Sequence, residues 1–135
     1  MSKKSQASME YLAIMGIVLL LFIPLTVIYF SYSAQAQDQI IDEQINNIGN
    51  KIISSSEEVF YYGNPAKTTI NINMPKKIEE IIITDYEINF RIRKSSGISD
   101  MAYISDIPIK GTIKNYQGKH TITIESKGDY VWLDG

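Results

Sequence analysis

Phe60-Tyr61-Tyr62-Gly63-Asn64-Pro65 divides the sequence into two patterns. Gly63 and Pro65 are helix stop signals, and Pro65 biases Asn64 away from helical backbone. Before this stretch, Ile41, Ile45, Ile48, Ile52 and Val59 recur at helical spacing, with Ile40, Ile53 and Phe60 beside them. Asp38, Asp42, Glu43, Asn46, Asn47 and Asn50 take other positions. This predicts an amphipathic helix over 34–62. Gly49 is its weak point, at about 1 kcal/mol against alanine. Ser54-Ser55-Ser56-Glu57-Glu58 holds two capping-box patterns, which would mark a break in that helix.

After Pro65 the period becomes two. Thr68–Met74 alternates cleanly, and Pro75-Lys76-Lys77 interrupts it. Ile78–Thr84 is a second strand candidate, and Glu87–Arg93 alternates again. Ser95-Ser96-Gly97 reads as a turn and Met101–Ser105 as a short strand. Ile107–Ile113 resumes the strand pattern, with Pro108 implying a sheet edge or a strand start. His120–Glu125, a turn over Ser126–Asp129 with Gly128 free to take positive φ, and Tyr130–Leu133 complete the set. The strands are too close in sequence for crossover helices, so an antiparallel sheet is expected. Residues 63–135 are few for an independent sandwich, and the stripe from Ile41 to Val59 supplies the other half of a core. The fold class expected is α+β: one long N-terminal helix with a small antiparallel head packed on its C-terminal half.

Outward from the helix toward the N-terminus, Tyr11 to Gln37 contains no charged residue. The run Tyr11–Tyr32 would form about 33 Å of helix, enough for a hydrocarbon core of about 30 Å. Lys3 and Lys4 would keep the short N-terminus cytoplasmic, and Tyr29, Phe30 and Tyr32 would form an aromatic belt at the other face. The run is too long for an ordinary secretory signal cut near Ser33–Ala36. Pro24 should kink or loosen the helix, while Ala13 and Gly16 let another helix approach closely. Glu10 stands at the mouth of the run. A carboxylate costs up to about 3 kcal/mol at the bilayer centre and less at the interface. It either reaches the headgroups or has a partner.

Lys3-Lys4-Ser5-Gln6-Ala7-Ser8-Met9-Glu10-Tyr11, directly before this run, resembles the class III signal peptide of archaeal type IV pilin-like proteins. That family has a short basic leader, a small residue before the cut, Q-x-S-x-E with an aromatic, and then a hydrophobic helix. The leader here is very short, and serine stands where glycine or alanine also occurs. The resemblance covers roughly the first 35 residues. It implies cleavage between Ser5 and Gln6 by a membrane-embedded leader peptidase that recognises Lys3, Lys4, Ser8 and Glu10. The helix would be retained, and the new amine of Gln6 would meet Glu10 of a neighbouring subunit and set register. Other pilin subunits, an assembly platform and its ATPase are the partners implied. The domains expected are a leader at 1–5, a membrane and filament-core helix at 6–33, its amphipathic extension at 34–62 and the β head at 63–135.

The net charge of −2 offers no basic face for nucleic acid. With no cysteine, disulfides, thiol catalysis and thiolate metal sites are excluded. His120 is expected on a polar edge beside a glycine turn, without a second histidine to make a metal site or a base. Asp100, Asp106 and Asp129 fit no calcium loop. Arg91, Arg93 and Lys94 read as the solvated face of one strand. No nucleotide, hydrolase or metalloprotease motif is present, so no catalytic residue, metal or cofactor is expected and the chain reads as a non-enzyme. Two other readings use the same residues: a processed, membrane-anchored binding or accessory protein that never polymerises, and an archaellin, disfavoured by the small head and the lack of N-x-S/T acceptors. An enzyme is the remotest reading.

Overall fold

The computed structural model describes residues 2–135. The chain forms two compact units, one ending at Gln37 and the other spanning Asp38–Gly135. The unit boundary falls inside the expected amphipathic extension, so residues 38–62 belong with the head.

One helix, α1 (Lys3–Tyr62), runs through Pro24 and through the serine cluster without a break. The expected break at Ser54–Glu58 is absent. Ser56 is fully buried, and its hydroxyl donates to the Ile52 carbonyl at 2.7 Å, so it bonds within the helix instead of capping a new one. The helix ends where expected. Gly63 has a φ of +79°, and its amide donates to the Phe60 carbonyl at 3.0 Å. Ala66 closes the following turn onto the Gly63 carbonyl at 2.7 Å, across a cis Asn64–Pro65 bond.

Seven strands follow: β1 (Lys67–Met74), β2 (Ile78–Thr84), β3 (Glu87–Lys94), β4 (Gly97–Ile104), β5 (Ile109–Thr112), β6 (Gly118–Ser126) and β7 (Val131–Asp134). They form two sheets. The three-stranded sheet is the meander β2-β3-β4, antiparallel throughout. The four-stranded sheet has the order β1-β6-β7-β5. Its β1·β6 and β6·β7 pairs are antiparallel, but β5 pairs with β7 in parallel. The head is thus antiparallel-rich, as expected for this α+β fold, and β5·β7 is the one parallel pair among the described residues. A parallel pair needs a long crossover. Here the chain from Ile113 to Tyr130 supplies one through β6, a strand, not a helix.

The core is built from isoleucines. Ile45 and Ile52 of α1, Ile88, Phe90 and Ile92 of β3, Ile122 and Ile124 of β6, and Val131 and Leu133 of β7 are fully buried. Each such side chain contributes about 1.5–3 kcal/mol through burial. On α1 the buried face runs Ile45, Ile48, Gly49, Ile52, Ile53, Ser56 and Val59. Ile41 and Phe60 pack partly against the core, whereas Ile40 is exposed.

Gly49 is a contact, not a weak point. A Cβ there would lie 2.5–2.7 Å from the Tyr103 ring, so only glycine lets β4 bring this ring against the helix. Tyr103 also meets Phe90 edge to face, with centroids 5.8 Å apart. Burial and the nearby charge of Asp42 push the Tyr103 hydroxyl above the usual tyrosine range.

His120 is likewise corrected. It is buried on the inner face of β6, not on a polar edge. Its Nε2 donates to the Tyr116 carbonyl at 2.6 Å, and its ring lies 4.0 Å from the Tyr116 ring. Alternation places it with Ile122 and Ile124, so the strand period overrides its polarity.

Candidate membrane and assembly site

The residues singled out for processing and assembly all lie on α1, and those among the described residues are exposed. Met1, the first residue of the expected leader, lies outside the described residues. The Ser5–Gln6 bond lies in the first turns of the helix, where the amides of Ser5 and Gln6 donate to the Ser2 carbonyl at 2.9 and 3.3 Å. Terminal turns fray more readily than the helix interior, so this bond lies where an extended form is accessible.

At 3.6 residues per turn, Gln6, Glu10, Ala13 and Pro24 fall on one side of α1, within about 60° of one another, and Gly16 lies at its border. Lys3 shares this side, while Lys4 and Ser8 face the other way. Gln6 Nε2 donates to Glu10 Oε1 at 3.5 Å, one turn apart. This long bond involves an amide, which cannot neutralise a carboxylate. A Cβ on Gly16 would meet nothing within 4 Å, so the close-approach surface faces no neighbour within the chain. Beyond it, Thr26 donates to the Phe22 carbonyl at 2.8 Å, a hydroxyl back-bond to the residue one turn before.

The apolar segment is long enough to cross a membrane, and none of its most hydrophobic window is buried in the structure. Leu12, Ile14, Ile17, Leu20, Phe22, Leu25 and Ile28 are all more than half exposed. An apolar patch of this length on a monomer marks an interface with lipid or with other chains. Comparison with family models, with curated proteins and with solved structures returned no match.

Where the helix enters the second unit, two carboxylates hold it to the head. Asp38 accepts from the amide of Ser95 at 3.0 Å, from the Ser95 hydroxyl, and from Lys77 Nζ at 3.4 Å. One turn later, Asp42 pairs with Lys94 at 2.7 Å. Sequence reading treated both acids as the polar side of the helix. Their i, i+4 spacing facing Lys77 and Lys94 is the signal that was available, but it needs the strand positions to be seen. The hydroxyl and amide of Ser95, with Lys77, hold the Asp38 carboxyl below the usual aspartate range. A depressed folded value means stability that is present above the unfolded value and lost as pH falls through the folded one. The thermal midpoint of the head should therefore hold steady from neutral pH down to about pH 5 and drop below about pH 4. In Asp38→Asn that acid-side drop should be smaller. An unchanged acid limb in the variant would count against this anchor.

The two arginines of β3 are paired as well. Arg91 bridges Glu80 at 3.0 Å and Asp100 at 3.2 Å, and Arg93 pairs with Glu79. Asp100 lies on β4, while Asp106 follows β4 and Asp129 lies in the β6–β7 turn. The amide of Asp106 donates to Glu57 Oε1 at 3.5 Å. Among the described residues, no three histidine, cysteine, aspartate or glutamate side chains cluster as a metal site.

Proposed function

We propose that this chain is a pilin-like structural subunit of an archaeal type IV pilus-like surface filament. The observation that carries the reading is the placement of Lys3–Tyr11 on the first turns of a helix whose following apolar residues are exposed. The motif supplies the processing reading, and the exposure supports the need for partners. The helix with a β head is compatible with a subunit that assembles through its N-terminal half.

In this reading the helix is inserted with Lys3 and Lys4 on the cytoplasmic side and the head outside. A leader peptidase cuts between Ser5 and Gln6. The cut creates an ammonium on Gln6, on the same side of the helix as Glu10. The pair that sets register is the one between the Gln6 ammonium of one chain and Glu10 of its neighbour, formed as the helix leaves lipid. Such a pair sets register, and losing one partner leaves a buried charge at a cost of about 3–5 kcal/mol. Ala13 and Gly16 admit the neighbouring helix beside that pair. The assembly platform and ATPase supply the work of extraction.

The expected result for Glu10→Ala is processed protein that builds at least about a hundredfold fewer filaments, given that cost per contact. Intact mass measures processing and electron microscopy counts filaments. Normal filaments from Glu10→Ala would remove the register role, and protein that keeps Met1–Ser5 in peptidase-active cells would remove the processing reading. The same apolar exposure is also met by lipid alone, which is the accessory-protein reading. Because the chain has no cysteine, Ala13→Cys reports subunit contact cleanly. A disulfide-linked dimer in processed material supports assembly, and its absence favours the tethered accessory protein.

A further inference from the structure

The outer face of the four-stranded sheet carries a constellation separate from the assembly helix. Strand register brings Glu125 of β6, Trp132 of β7 and Lys110 of β5 into one row. The next row along the strands holds Thr123, Asp134 and Thr112. Alternation puts the six on the solvent side, opposite Ile124, Leu133 and Ile109. Trp132 is 41% exposed and is the only tryptophan in the chain.

The charged groups beside the indole have partners of their own. Lys127 pairs with Glu125 at 2.9 Å and keeps its carboxyl below the usual glutamate range. The Lys110 ammonium lies 5.2 Å from the centre of the Tyr130 ring and 3.9 Å from Asp85. An aromatic ring is thus flanked in one row by an anion and a cation, with hydroxyls and a carboxylate in the row beside it.

We propose that this face binds a neutral polysaccharide or oligosaccharide, with a pyranose ring stacked on Trp132. The C–H face of a sugar is apolar and matches the indole, while its hydroxyls both donate and accept. Glu125 and Asp134 accept from them, and Lys110 and Thr123 donate. The other chemistries fit less well. In these rows the indole has no second exposed apolar side chain beside it, whereas a protein interface needs a desolvated apolar centre. The rows carry one lysine, Lys110, against two carboxylates, Glu125 and Asp134, so there is no cationic field for anionic lipid or nucleic acid. The proposal does not rest on the filament reading.

Trp132 makes the test direct. The full chain in zwitterionic, sugar-free micelles is titrated with neutral hexasaccharides of glucose, mannose and N-acetylglucosamine while its emission is followed. Sugar is taken to about 10 mM, because a shallow face with one stacked ring binds in the millimolar range. At least one oligosaccharide should give a saturable change. In Asp134→Ala the affinity should fall about tenfold, the loss expected for a charged hydrogen bond, with the circular dichroism unchanged. On the immobilised oligosaccharide, Trp132→Ala should lose retention and Trp132→Tyr should keep part of it. No response to any of the three sugars overturns the proposal, as does a response seen only with added anionic vesicles.

Discussion

Alanine at Gly111 is expected to abolish cooperative unfolding of the head. Gly111 has a φ of +136°, and a Cβ there would lie 1.9 Å from the Leu133 carbonyl oxygen and 2.7 Å from its carbon. Those are backbone atoms of the parallel partner, so no rotamer change relieves the overlap. The β5·β7 pair must part, and β7 is the only neighbour of β5 in its sheet. The buried side chains of Ile109 and Leu133 separate with it. The loss is several kcal/mol against a total of about 5–15 kcal/mol for a domain of this kind. Each kcal/mol shifts the midpoint by about 4–8 °C at this size. Gly128→Ala is the matched control. Its φ is +96°, but nothing lies within 4 Å of the added methyl. It should cost only about 1–2 kcal/mol, the left-handed backbone strain alone. Thermal melts of the full chain in micelles decide the matter; equal midpoints for the two variants would refute the close-approach account of Gly111.

The second large effect is at Phe90. It is fully buried on β3, and its ring meets Tyr103, which in turn rests on Gly49 of α1. Phe90→Ala removes the largest fully buried side chain of the head at the point where the meander meets the helix. The cost should be about 3–5 kcal/mol, transfer and cavity together. The drop in denaturation midpoint measures it. Tyr103→Ala should cost less, and the double variant should recover about 0.5–1.5 kcal/mol of coupling between the rings. Strict additivity would show that the ring contact contributes nothing beyond area.

Much of this architecture is legible in the sequence, for reasons that can be assigned residue by residue. Gly63 and Pro65 end the helix because one supplies positive φ and the other forbids helical continuation before it. Thr68–Met74 and Glu87–Arg93 alternate because each strand has one wet face. The Lys3–Tyr11 stretch, on which the proposed processing rests, is a linear pattern that can be read without any fold. What stayed hidden depends on partners. Four residues, Ile109–Thr112, announce a strand but not that its neighbour is the distant β7, or that it runs parallel. Ser95-Ser96-Gly97 reads as a turn, while Gly97 already begins β4. Gly49 looks like a flaw until Tyr103 is placed against it. His120 looks like a surface group until its parity with Ile122 is counted. The row of Glu125, Trp132 and Lys110 exists only through register across three strands, which no local pattern encodes.

The position of β7 has a consequence for the order of events in biogenesis. Val131–Asp134 lies between β6 and β5, so the four-stranded sheet has a vacancy at its middle until those residues have been made. Residues 11–32 emerge from the ribosome about a hundred positions earlier, at about 5–20 residues per second. The apolar helix therefore has seconds to reach a bilayer before the head can lock. During that interval Ile109, Ile122 and Ile124 lack their cover and the sheet cannot close. On the topology proposed above, the head would cross the membrane in this open state, and closure by β7 would then act as a latch that holds it on the far side.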